Sequence, residues 1–511
     1  MENSIFLGLD VGTTNIKAIL VDSHGNEVAK AEVRNPPTIT EDGYSETDMH
    51  GLFERCCTVI KTVLSEQNSA CLAAMSVSGQ GEGLWALDEY NQPIGPAILW
   101  NDGRASRTAS QWLNHEGVKQ IYQHTTGSVP FSGATSVLLA WFKKHERNTY
   151  DRIKTVFWCK DWIRYCLTGA FSSDPSDAST SMLSLETKGW AHDLLAALDI
   201  EEVKQALPAL RPSNDIAGYV QSTVAQMTGL PEGLPVATGA LDIVATAFGM
   251  GAHQQGDTCV ILGTTCCCES LYQAPKYDSN TSGGWECFEP SSLVVNVNAA
   301  MAGTPNLDWA IGSLLTESER QRSDVFEFIE ANIKALDPVS RGVIFHPYIA
   351  EAGERAPFNN PGAKAQFFGI DTKTTRWDML KSVYEGVAFS IRDCIGEGTG
   401  RILLAGGGAK SEIWPQIIAD CTGRSVVIAK QSEACSNGSI MYAFMAVNPE
   451  CPAEQVIAKF NGEQRAFTPN KHNTDIYEAY FEVYKEIRTQ LDGIWKIHDG
   501  LKNQRTKHER L

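Results

Sequence analysis

The sequence is short of positive charge. It contains 43 lysine and arginine residues against 61 aspartate and glutamate residues, so its formal charge at pH 7 is −18. A protein of that charge repels nucleic-acid phosphates and anionic membrane surfaces, and neither is expected to be its principal partner. The basic residues of the tail, residues 501–511, are interpreted as a solvated end of the chain rather than as a nucleic-acid-binding arm.

The sequence also lacks any C-x-x-C pair, although it has 14 cysteines. Instead, Cys56 and Cys57 are adjacent, and three cysteines follow one another at residues 266–268. Adjacent cysteines suit neither a set of disulfides nor a tetrahedral zinc site, whose ligands are usually about two to four residues apart. The cysteines therefore indicate a reducing compartment, in which thiols act as small apolar side chains.

Long uninterrupted apolar runs are absent as well. The most apolar stretch, residues 234–252, contains Pro235, several glycines and Asp242, which argues against a bilayer-spanning helix. The N-terminus has no basic segment, and Asp10 interrupts the first apolar run, so no signal peptide is expected. We therefore expect a cytoplasmic protein.

The remaining composition is that of a soluble globular protein, with 43% hydrophobic and 20% charged residues among 511. That length is too great for one compact core and predicts two domains. Apolar runs at residues 5–9, 16–21 and 27–33 predict three strands joined by tight turns. Apolar residues at helical spacing over residues 48–66 predict an amphipathic helix that covers one face of this sheet.

A short motif, G-T-T, occurs at residues 12–14 and again at residues 263–265. Each copy follows one apolar strand and precedes another, and the two copies lie about half a chain apart. A unit repeated at half the chain length indicates a duplicated fold. The alternative is two unrelated hairpins that share common turn residues.

The first copy has the residues of a phosphate-binding hairpin. Gly12 permits a tight turn, and the backbone N–H groups and hydroxyls of Thr13 and Thr14 suit phosphate oxygens. Asp10 can hold Mg²⁺ directly or through water, since Mg²⁺ prefers few carboxylates and several waters. Lys17, on the returning strand, can neutralise phosphate charge. Without the second copy, a hairpin with a polar turn would explain the motif equally well.

Three consecutive glycines at residues 406–408 follow an apolar strand at 402–404 and precede a helical stretch at 411–422. In this arrangement the backbone can bend closely around a ligand and offer free N–H groups at the start of a helix. The alternative is a flexible connection between a strand and a helix.

Taken in order, the motifs of the chain resemble those of the FGGY carbohydrate kinases over essentially its whole length. They are D-V-G-T-T at residues 10–14, S-G-Q at 78–80, W-N-D-G-R at 100–104, K-D-W at 160–162, D-P-S-D-A-S at 174–179, G-E-R-A-P at 353–357, E-G-V-A-F at 385–389 and G-G-G-A-K-S at 406–411. The resemblance implies an α/β fold with two ribonuclease-H-like domains, of the type shared by actin, hexokinase and sugar kinases, around a hinged cleft. We expect residues 1–248 to hold the sugar and the first phosphate hairpin, and residues 249–500 to hold ATP.

The same resemblance implies roles for single residues. Asp242 resembles the family's catalytic base, which takes a proton from the sugar hydroxyl that attacks the γ-phosphate, although a helix cap is the alternative. Asp10 and Asp242 are the expected Mg²⁺ ligands, and ATP is the expected phosphate donor. The residues expected to contact the nucleotide are Gly12, Thr13, Thr14, Lys17, Gly263, Thr264, Thr265, Gly407, Gly408 and Ala409.

On the sugar side, Trp100, Asp102 and Arg104 resemble the xylulokinase pattern, in which an indole faces the carbon chain between a carboxylate and a guanidinium. The alternative for Arg104 is a structural ion pair with Asp102. Gln80 and Glu82 are the other expected sugar ligands. Residues 81–83 are Gly-Glu-Gly where typical xylulokinases have Met-His and glycerol kinases have Arg-Glu. This loop is similar to the corresponding loop of L-xylulose kinases and of erythritol kinases. The segment at residues 346–355 also resembles that of erythritol kinases.

These observations predict ATP- and Mg²⁺-dependent phosphorylation of a terminal hydroxyl on a small linear sugar. A pentulose of the xylulose or L-xylulose type is the first candidate, and erythritol or another polyol is the second. Two readings from other classes stay open: a catalytically silent sugar sensor, and an actin- or chaperone-like ATPase that binds protein. Homodimers are common among the proteins that the chain resembles.

Overall fold

The computed structural model describes residues 4–65, 69–276, 283–428, 433–462 and 464–508. Its described strands form two large sheets, one in each half of the chain, with helices on their faces. Among the described residues, no helix is both long enough and apolar enough to cross a bilayer.

The first sheet is built from the N-terminal half. Its strands are β1 (Ile5–Val11), β2 (Asn15–Asp22), β3 (Glu27–Arg34), β4 (Leu72–Gly79), β5 (Ile216–Tyr219) and β6 (Pro235–Ala237). They lie in the order β5-β6-β4-β1-β2-β3, with β1 antiparallel to β2 and parallel to β4.

The second sheet repeats this plan. Its strands are β7 (Thr258–Leu262), β8 (Cys266–Tyr272), β9 (Gly284–Phe288), β10 (Leu293–Ala300), β11 (Ile402–Ala405), β12 (Val426–Ile428) and β13 (Arg465–Phe467). They lie in the order β9-β10-β8-β7-β11-β12-β13, with β7 antiparallel to β8 and parallel to β11. Both sheets thus consist of a hairpin beside a parallel strand, which confirms the duplicated, ribonuclease-H-like α/β fold.

The helices that matter for the site are α1 (Met49–Leu64), α2 (Thr135–His145), α3 (Cys159–Thr168), α4 (Pro175–Ser179), α5 (Asp242–Met250), α6 (Arg376–Ile395), α7 (Trp414–Thr422), α8 (Ala434–Val447) and α9 (Lys471–His508). Peripheral helices cover Ser106–Asn114, Glu116–Thr126, Arg147–Asp151, His192–Ala197, Ser222–Thr228, Pro305–Leu314, Glu317–Arg320, Val325–Ile333 and Ala453–Asn461. Short strands outside the two sheets are Thr38–Ile39, Ser45–Thr47, Trp85–Leu87, Ala97–Ile98, Thr155–Phe157, Ser172–Ser173, Leu183–Ser184, Gly189–Trp190, Ala209–Leu210, Ile344–His346 and Gln366–Phe368.

Sequence patterns located several of these elements. The three predicted N-terminal strands and the predicted helix correspond to β1, β2, β3 and α1. The helix predicted at 411–422 begins later, at Trp414, whose amide N–H donates to the hydroxyl of Ser411 at 2.8 Å. The expected domain boundary after residue 248 lies inside α5. The tail expected as a solvated end continues α9 as helix up to His508, and residues 509–511 lie outside the described residues.

Two helices, α5 and α8, cross closely between the two sheets. A Cβ atom at Gly249 would lie 1.9 Å from Ala434 O, and one at Gly438 would lie 1.9 Å from Ala245 O. Only glycine permits this distance, because any side chain at either residue would overlap the backbone of the partner helix. Apolar side chains from both sheets pack around this crossing in one core, which includes Phe6. The crossing therefore joins the two halves of the molecule.

Candidate active site

Two carboxylates from distant parts of the chain meet in the cleft between the sheets. Asp10 lies near the end of β1, and Asp242 is the first residue of α5. Both residues are partly buried, and the amide N–H of Ile243 donates to Asp242 Oδ1 at 2.8 Å. Burial, and next the negative charge of Asp10, raise the pKa of Asp242 to about 7. The structure thus places the predicted base beside the predicted Mg²⁺ ligand.

Asp10 is also tied to α8. Burial raises the pKa of Asp10 to about 6, and this rise is limited by a hydrogen bond from the thiol of Cys435 and by the charge of Lys17. The Cys435 thiol also forms a hydrogen bond with Thr246 of α5. A partly buried thiol on α8 therefore links the end of β1 to the helix that begins at Asp242.

The first G-T-T turn contacts the predicted sugar site. The hydroxyl of Thr13 donates to Gln80 Oε1 at 2.9 Å and accepts from the indole N–H of Trp100 at 3.1 Å. Trp100 is 44% exposed, so its ring is accessible to a ligand in the cleft. Thr14 is exposed at the tip of the same turn, next to Gly12, whose amide N–H closes the turn on Asn15 O at 3.1 Å.

The second G-T-T turn lies beside the glycine turn of residues 406–408. A Cβ atom at Gly406 would lie 2.5 Å from Leu262 O, and one at Gly408 would lie 2.3 Å from Leu262 Cδ2. Leu262 directly precedes Gly263, and Thr264 is exposed at the tip of its turn. The structure therefore brings together the residues of the C-terminal half that were predicted to contact the nucleotide: Gly263, Thr264, Thr265, Gly407, Gly408 and Ala409.

Lys17 has a partner that sequence analysis did not anticipate. It lies opposite Asp10 in the β1–β2 pairing, and its Nζ is 2.7 Å from Glu433 Oε2 at the start of α8. Burial opposes the charged form, but the hydrogen bond and the charge of Glu433 outweigh it and raise the pKa of Lys17. To neutralise phosphate charge, Lys17 has to break its ion pair with Glu433 or to contact Glu433 and the phosphate together.

The carboxylate of Glu82 is hydrogen-bonded within the protein and is not a free sugar ligand. Its Oε2 accepts from the amide N–H of Thr135 at 2.9 Å, from the Thr135 hydroxyl at 3.1 Å and from the Ser181 hydroxyl at 3.1 Å. Thr135 is the first residue of α2, so the carboxylate satisfies a free N–H at the start of that helix. Burial raises the pKa of Glu82 to about 7, and its φ is 56°. In this conformation the residue holds the sugar-side loop to α2.

Asp102 and Arg104 form an ion pair with each other. The guanidinium Nε is 2.9 Å from Asp102 Oδ1, Nη2 is 3.0 Å from Asp102 Oδ2, and Nη2 is also 2.6 Å from Glu46 Oε1. The guanidinium carbon lies 4.5 Å from the centre of the Tyr44 ring. The alternative interpretation of Arg104, a structural ion pair with Asp102, is therefore the arrangement present in the structure.

A buried charge cluster behind the site was missed by sequence reasoning. The Lys160 Nζ lies 2.7 Å from Asp161 Oδ1, 2.8 Å from Asp174 Oδ1 and 2.9 Å from Asp177 Oδ2, and all four side chains are fully buried. Arg164 adds a second cation, 2.9 Å from Asp161 Oδ1. The motifs K-D-W and D-P-S-D-A-S contain the lysine and the aspartates, but nothing in the sequence pairs them.

This cluster supports the segment that leads to the base. Arg164 donates to Thr238 O at 2.7 Å, and the Ser176 hydroxyl accepts from the amide N–H of Leu241 at 2.9 Å. The same hydroxyl donates to Asp174 Oδ2 at 2.5 Å. Because Leu241 directly precedes Asp242, the cluster fixes the backbone from which α5 starts.

The segment at residues 346–355, which resembles that of erythritol kinases, begins in the core of the C-terminal half. His346 is buried, stacks on Tyr484 of α9 at 4.3 Å and contacts Tyr484 O at 3.0 Å. Glu354 accepts from the amide N–H of Met301 at 2.7 Å. The contacts of His346 belong to the core of the C-terminal half, whereas Met301 lies two residues before Gly303, which packs against Gly263 and Thr264 of the second G-T-T turn.

The donor set at Asp10 and Asp242 fits Mg²⁺. Within the described ranges no three His, Cys, Asp or Glu side chains converge as ligands of one ion. Two nearby carboxylates whose mutual repulsion raises a pKa suit an ion that takes few protein ligands and keeps several waters. When bound, Mg²⁺ would lower the negative charge of the phosphates and of this carboxylate pair.

Comparison with known families covers most of the chain. Residues 5–249 match the FGGY family of carbohydrate kinases, N-terminal domain, and residues 258–447 match the FGGY family of carbohydrate kinases, C-terminal domain. The first match ends inside the last turn of α5, and the second begins at the first residue of β7.

Individual proteins are similar over nearly the whole length. A probable L-xylulose kinase from Pasteurella multocida is 29% identical in an alignment of 499 positions that covers 96% of this chain and 99% of that protein. An erythritol kinase from Brucella abortus is 27% identical in an alignment of 519 positions that covers 98% of this chain and 99% of that protein. A solved structure described as a xyloylose kinase from Brucella ovis has a TM-score of 0.83 at 26% identity, covering 96% of this chain and 100% of that chain.

Proposed function

This chain belongs to the FGGY family of carbohydrate kinases, and from that premise we propose that it transfers the γ-phosphate of ATP to a terminal hydroxyl of a xylulose-type pentulose. The family makes it a sugar phosphotransferase that uses ATP. The choice of a pentulose is supported by the similarity to the probable L-xylulose kinase and to the xyloylose kinase structure.

The observation that carries the proposal is the position of Asp242 in the cleft, beside Asp10. A carboxylate whose pKa is raised to about 7 is a stronger base than an ordinary aspartate and is still ionised in part at neutral pH. It can take the proton of a hydroxyl that lies against it. Trp100, exposed and bonded to the first hairpin, supplies an apolar face for the carbon chain on the same side.

Phosphoryl transfer depends mainly on position and on groups that stabilise phosphate charge. The two G-T-T turns offer hydroxyls and backbone N–H groups from both halves of the molecule, with Thr14 and Thr264 exposed at their tips. We expect Asp10 and Asp242 to hold Mg²⁺ between them. Closure of the two halves over the sugar would exclude water, which otherwise competes for the phosphate.

A polyol of four or five carbons is the second candidate, because the erythritol kinase is similar over 98% of this chain. Glu82, the residue that most suggested a difference from typical xylulokinases, is bonded to α2, so it acts on selectivity through the shape of its loop. A silent sensor has no support, since the predicted base and both hairpins are retained. A cytoplasmic location, the domain division at residue 248 and a homodimer stay predictions.

A coupled ADP-release assay tests the proposal. We would supply MgATP with D-xylulose, L-xylulose, erythritol and glycerol in turn, and use Asp242→Asn as the inactive control. Sugar-dependent ADP release with one pentulose at least tenfold above erythritol would support the pentulose assignment. Higher turnover of erythritol would favour the polyol, and ADP release without any sugar would contradict the proposal.

A further inference from the structure

Two carboxyl groups of the C-terminal half are buried beside the cleft, and in each of them one oxygen has no hydrogen-bond donor. Glu269 lies on β8 and is 1% exposed, and Glu286 lies on β9 and is 7% exposed. Within the part of the chain that the structure describes, Oε2 of each is buried and accepts no hydrogen bond. The Cys267 thiol, 3.7 Å from Glu269 Oε1, is a weak donor at most.

The two carboxyls are on the same face of the second sheet. Glu269 lies opposite Val297 of β10, and Glu286 lies opposite Val295. Residues i and i+2 of a strand point to the same side, so both glutamates share the face of these two valines. That face packs in one core with Phe248 of α5, the helix that begins at Asp242.

Both groups lie within electrostatic reach of the predicted base. Burial first, and then the charge of Asp242, raise the pKa of Glu269 to about 8. Burial is the main cause that raises the pKa of Glu286 well above its usual value. The negative charges of Glu269, Asp242, Glu82 and Asp177 raise it further. The carboxyl groups of Glu269, Glu286 and Asp242 therefore lie close enough for their charges to interact.

The position of β9 is fixed from the N-terminal half. The amide N–H of Trp285 donates to the Ser128 hydroxyl at 3.0 Å, and that of Cys287 donates to the Ser179 hydroxyl at 2.9 Å. Glu286 lies between these two anchors, so its placement does not result from a loose loop. The strand spans from one half of the molecule to the other at this point.

A buried carboxyl oxygen without a donor is unfavourable unless something supplies one. A metal site with three or more protein ligands does not, because the described residues place no three suitable ligands together. A sugar or polyol does, since each of its hydroxyls is a hydrogen-bond donor. We propose that Glu269 and Glu286 bind hydroxyl groups of the substrate that faces Asp242, so that the C-terminal half, and not only the N-terminal half, selects the sugar. This assignment rests on the proposed function.

Replacement by methionine separates a ligand-binding role from a structural one. In Glu269→Met and Glu286→Met the unpaired carboxyl is removed and the volume is nearly kept. We expect the melting temperature of the sugar-free protein to equal or exceed that of the wild type. We expect the affinity for the bound sugar to fall at least tenfold, with the KM for ATP within twofold. Calorimetric titration with D-xylulose, L-xylulose and erythritol gives the affinities, and the coupled assay gives the KM.

Glu385→Met is the matched control. Glu385 on α6 is also buried with Oε2 unpaired, but its Oε1 accepts from the amide N–H of Val339 at 2.9 Å and from the Tyr477 hydroxyl at 2.8 Å. Removing it leaves two donors without an acceptor, so this variant should melt earlier and keep its sugar affinity. If a methionine variant does not fold, Glu269→Gln or Glu286→Gln is used in its place. For these variants we expect the affinity for the sugar to fall at least fivefold.

The outcomes distinguish this inference from the proposed function. If the wild type phosphorylates a sugar and both variants bind it within twofold of the wild type, the inference is wrong and the function stands. The same holds if both variants melt as early as the control. If the wild type binds one of the three probes without turnover and both variants lose that binding, the inference stands and the function is wrong. Wild-type protein that binds none of them overturns both.

Discussion

Replacing Asp242 by asparagine tests two properties of one carboxyl group. The amide keeps the shape of the side chain but cannot accept the proton of the attacking hydroxyl. General base catalysis contributes about 10²–10⁴-fold to rates, so we expect kcat to fall by about that factor. The G-T-T turns that are expected to contact ATP are unchanged, and the KM for ATP should stay within about threefold of the wild type.

The second property is the contribution of the carboxyl to stability. Its pKa is raised from 3.8 to about 7 in the folded protein, so the folded state binds this proton more tightly than the unfolded chain. The wild type therefore loses stability as the pH rises from about 4 to about 7. At about 1.4 kcal/mol per pKa unit this loss is at most about 4 kcal/mol. Because Asp242 is only partly buried, we expect the variant to gain about 1–2 kcal/mol over the wild type between about pH 5 and pH 8.

Urea unfolding at both pH values, in buffer without nucleotide or Mg²⁺, measures this gain, and the coupled assay measures kcat. A kcat within tenfold of the wild type would remove Asp242 from the proton transfer. A difference in stability that is the same at pH 5 and pH 8 would refute the assignment of a raised pKa to burial and to Asp10.

Three further substitutions test supporting contacts. Ser176→Ala leaves the buried amide N–H of Leu241 unpaired, so we expect about 1–3 kcal/mol lower stability and a lower kcat at unchanged KM for ATP. Gly438→Ala places a Cβ atom 1.9 Å from backbone at the crossing of α5 and α8, and thermal unfolding should show a loss of about 1–3 kcal/mol or more. Lys17→Met breaks the pair with Glu433, and we expect a severalfold higher KM for ATP with less than about 1 kcal/mol change in stability.

Each has a control. Thr375→Ala removes the N-cap hydroxyl at the start of α6, away from the cleft. This variant should lower the stability without lowering kcat. Gly312→Ala adds a Cβ atom with nothing within 4 Å, and should be neutral or stabilising. Glu433→Gln breaks the same ion pair as Lys17→Met but keeps the cation, so its KM for ATP should not rise. Equal effects of a variant and its control would contradict the role tested.

The sequence was informative where chemistry is local. Strands, hairpins and the glycine turn follow from alternating apolar residues and turn residues that lie next to each other, and the repeat of G-T-T predicted two sheets of one plan. The positions of Asp10, Thr13 and Trp100 near one another followed from the resemblance, since nothing in their spacing brings residues 10 and 100 together.

The partners of charged side chains could not be predicted in this way. Arg104 pairs with Glu46 as well as with Asp102, and Glu82 bonds Thr135 and Ser181. These pairs form because strands and helices far apart in sequence meet in the fold. A carboxylate that looks free in the sequence can therefore be a helix support in the structure, and one that looks incidental, like Glu269, can be the unpaired group.

The packing of α8 has a consequence for synthesis on the ribosome. Although it is encoded near the end of the chain, α8 lies on the first sheet, with Ser439 bonded to Ser78 at 2.6 Å and Phe444 5.3 Å from Phe6. During translation the N-terminal sheet can form early, but one apolar face stays uncovered until residue 447 has emerged from the exit tunnel. A nascent chain stalled before that point exposes this face, so completion of the N-terminal half is a late event of biosynthesis.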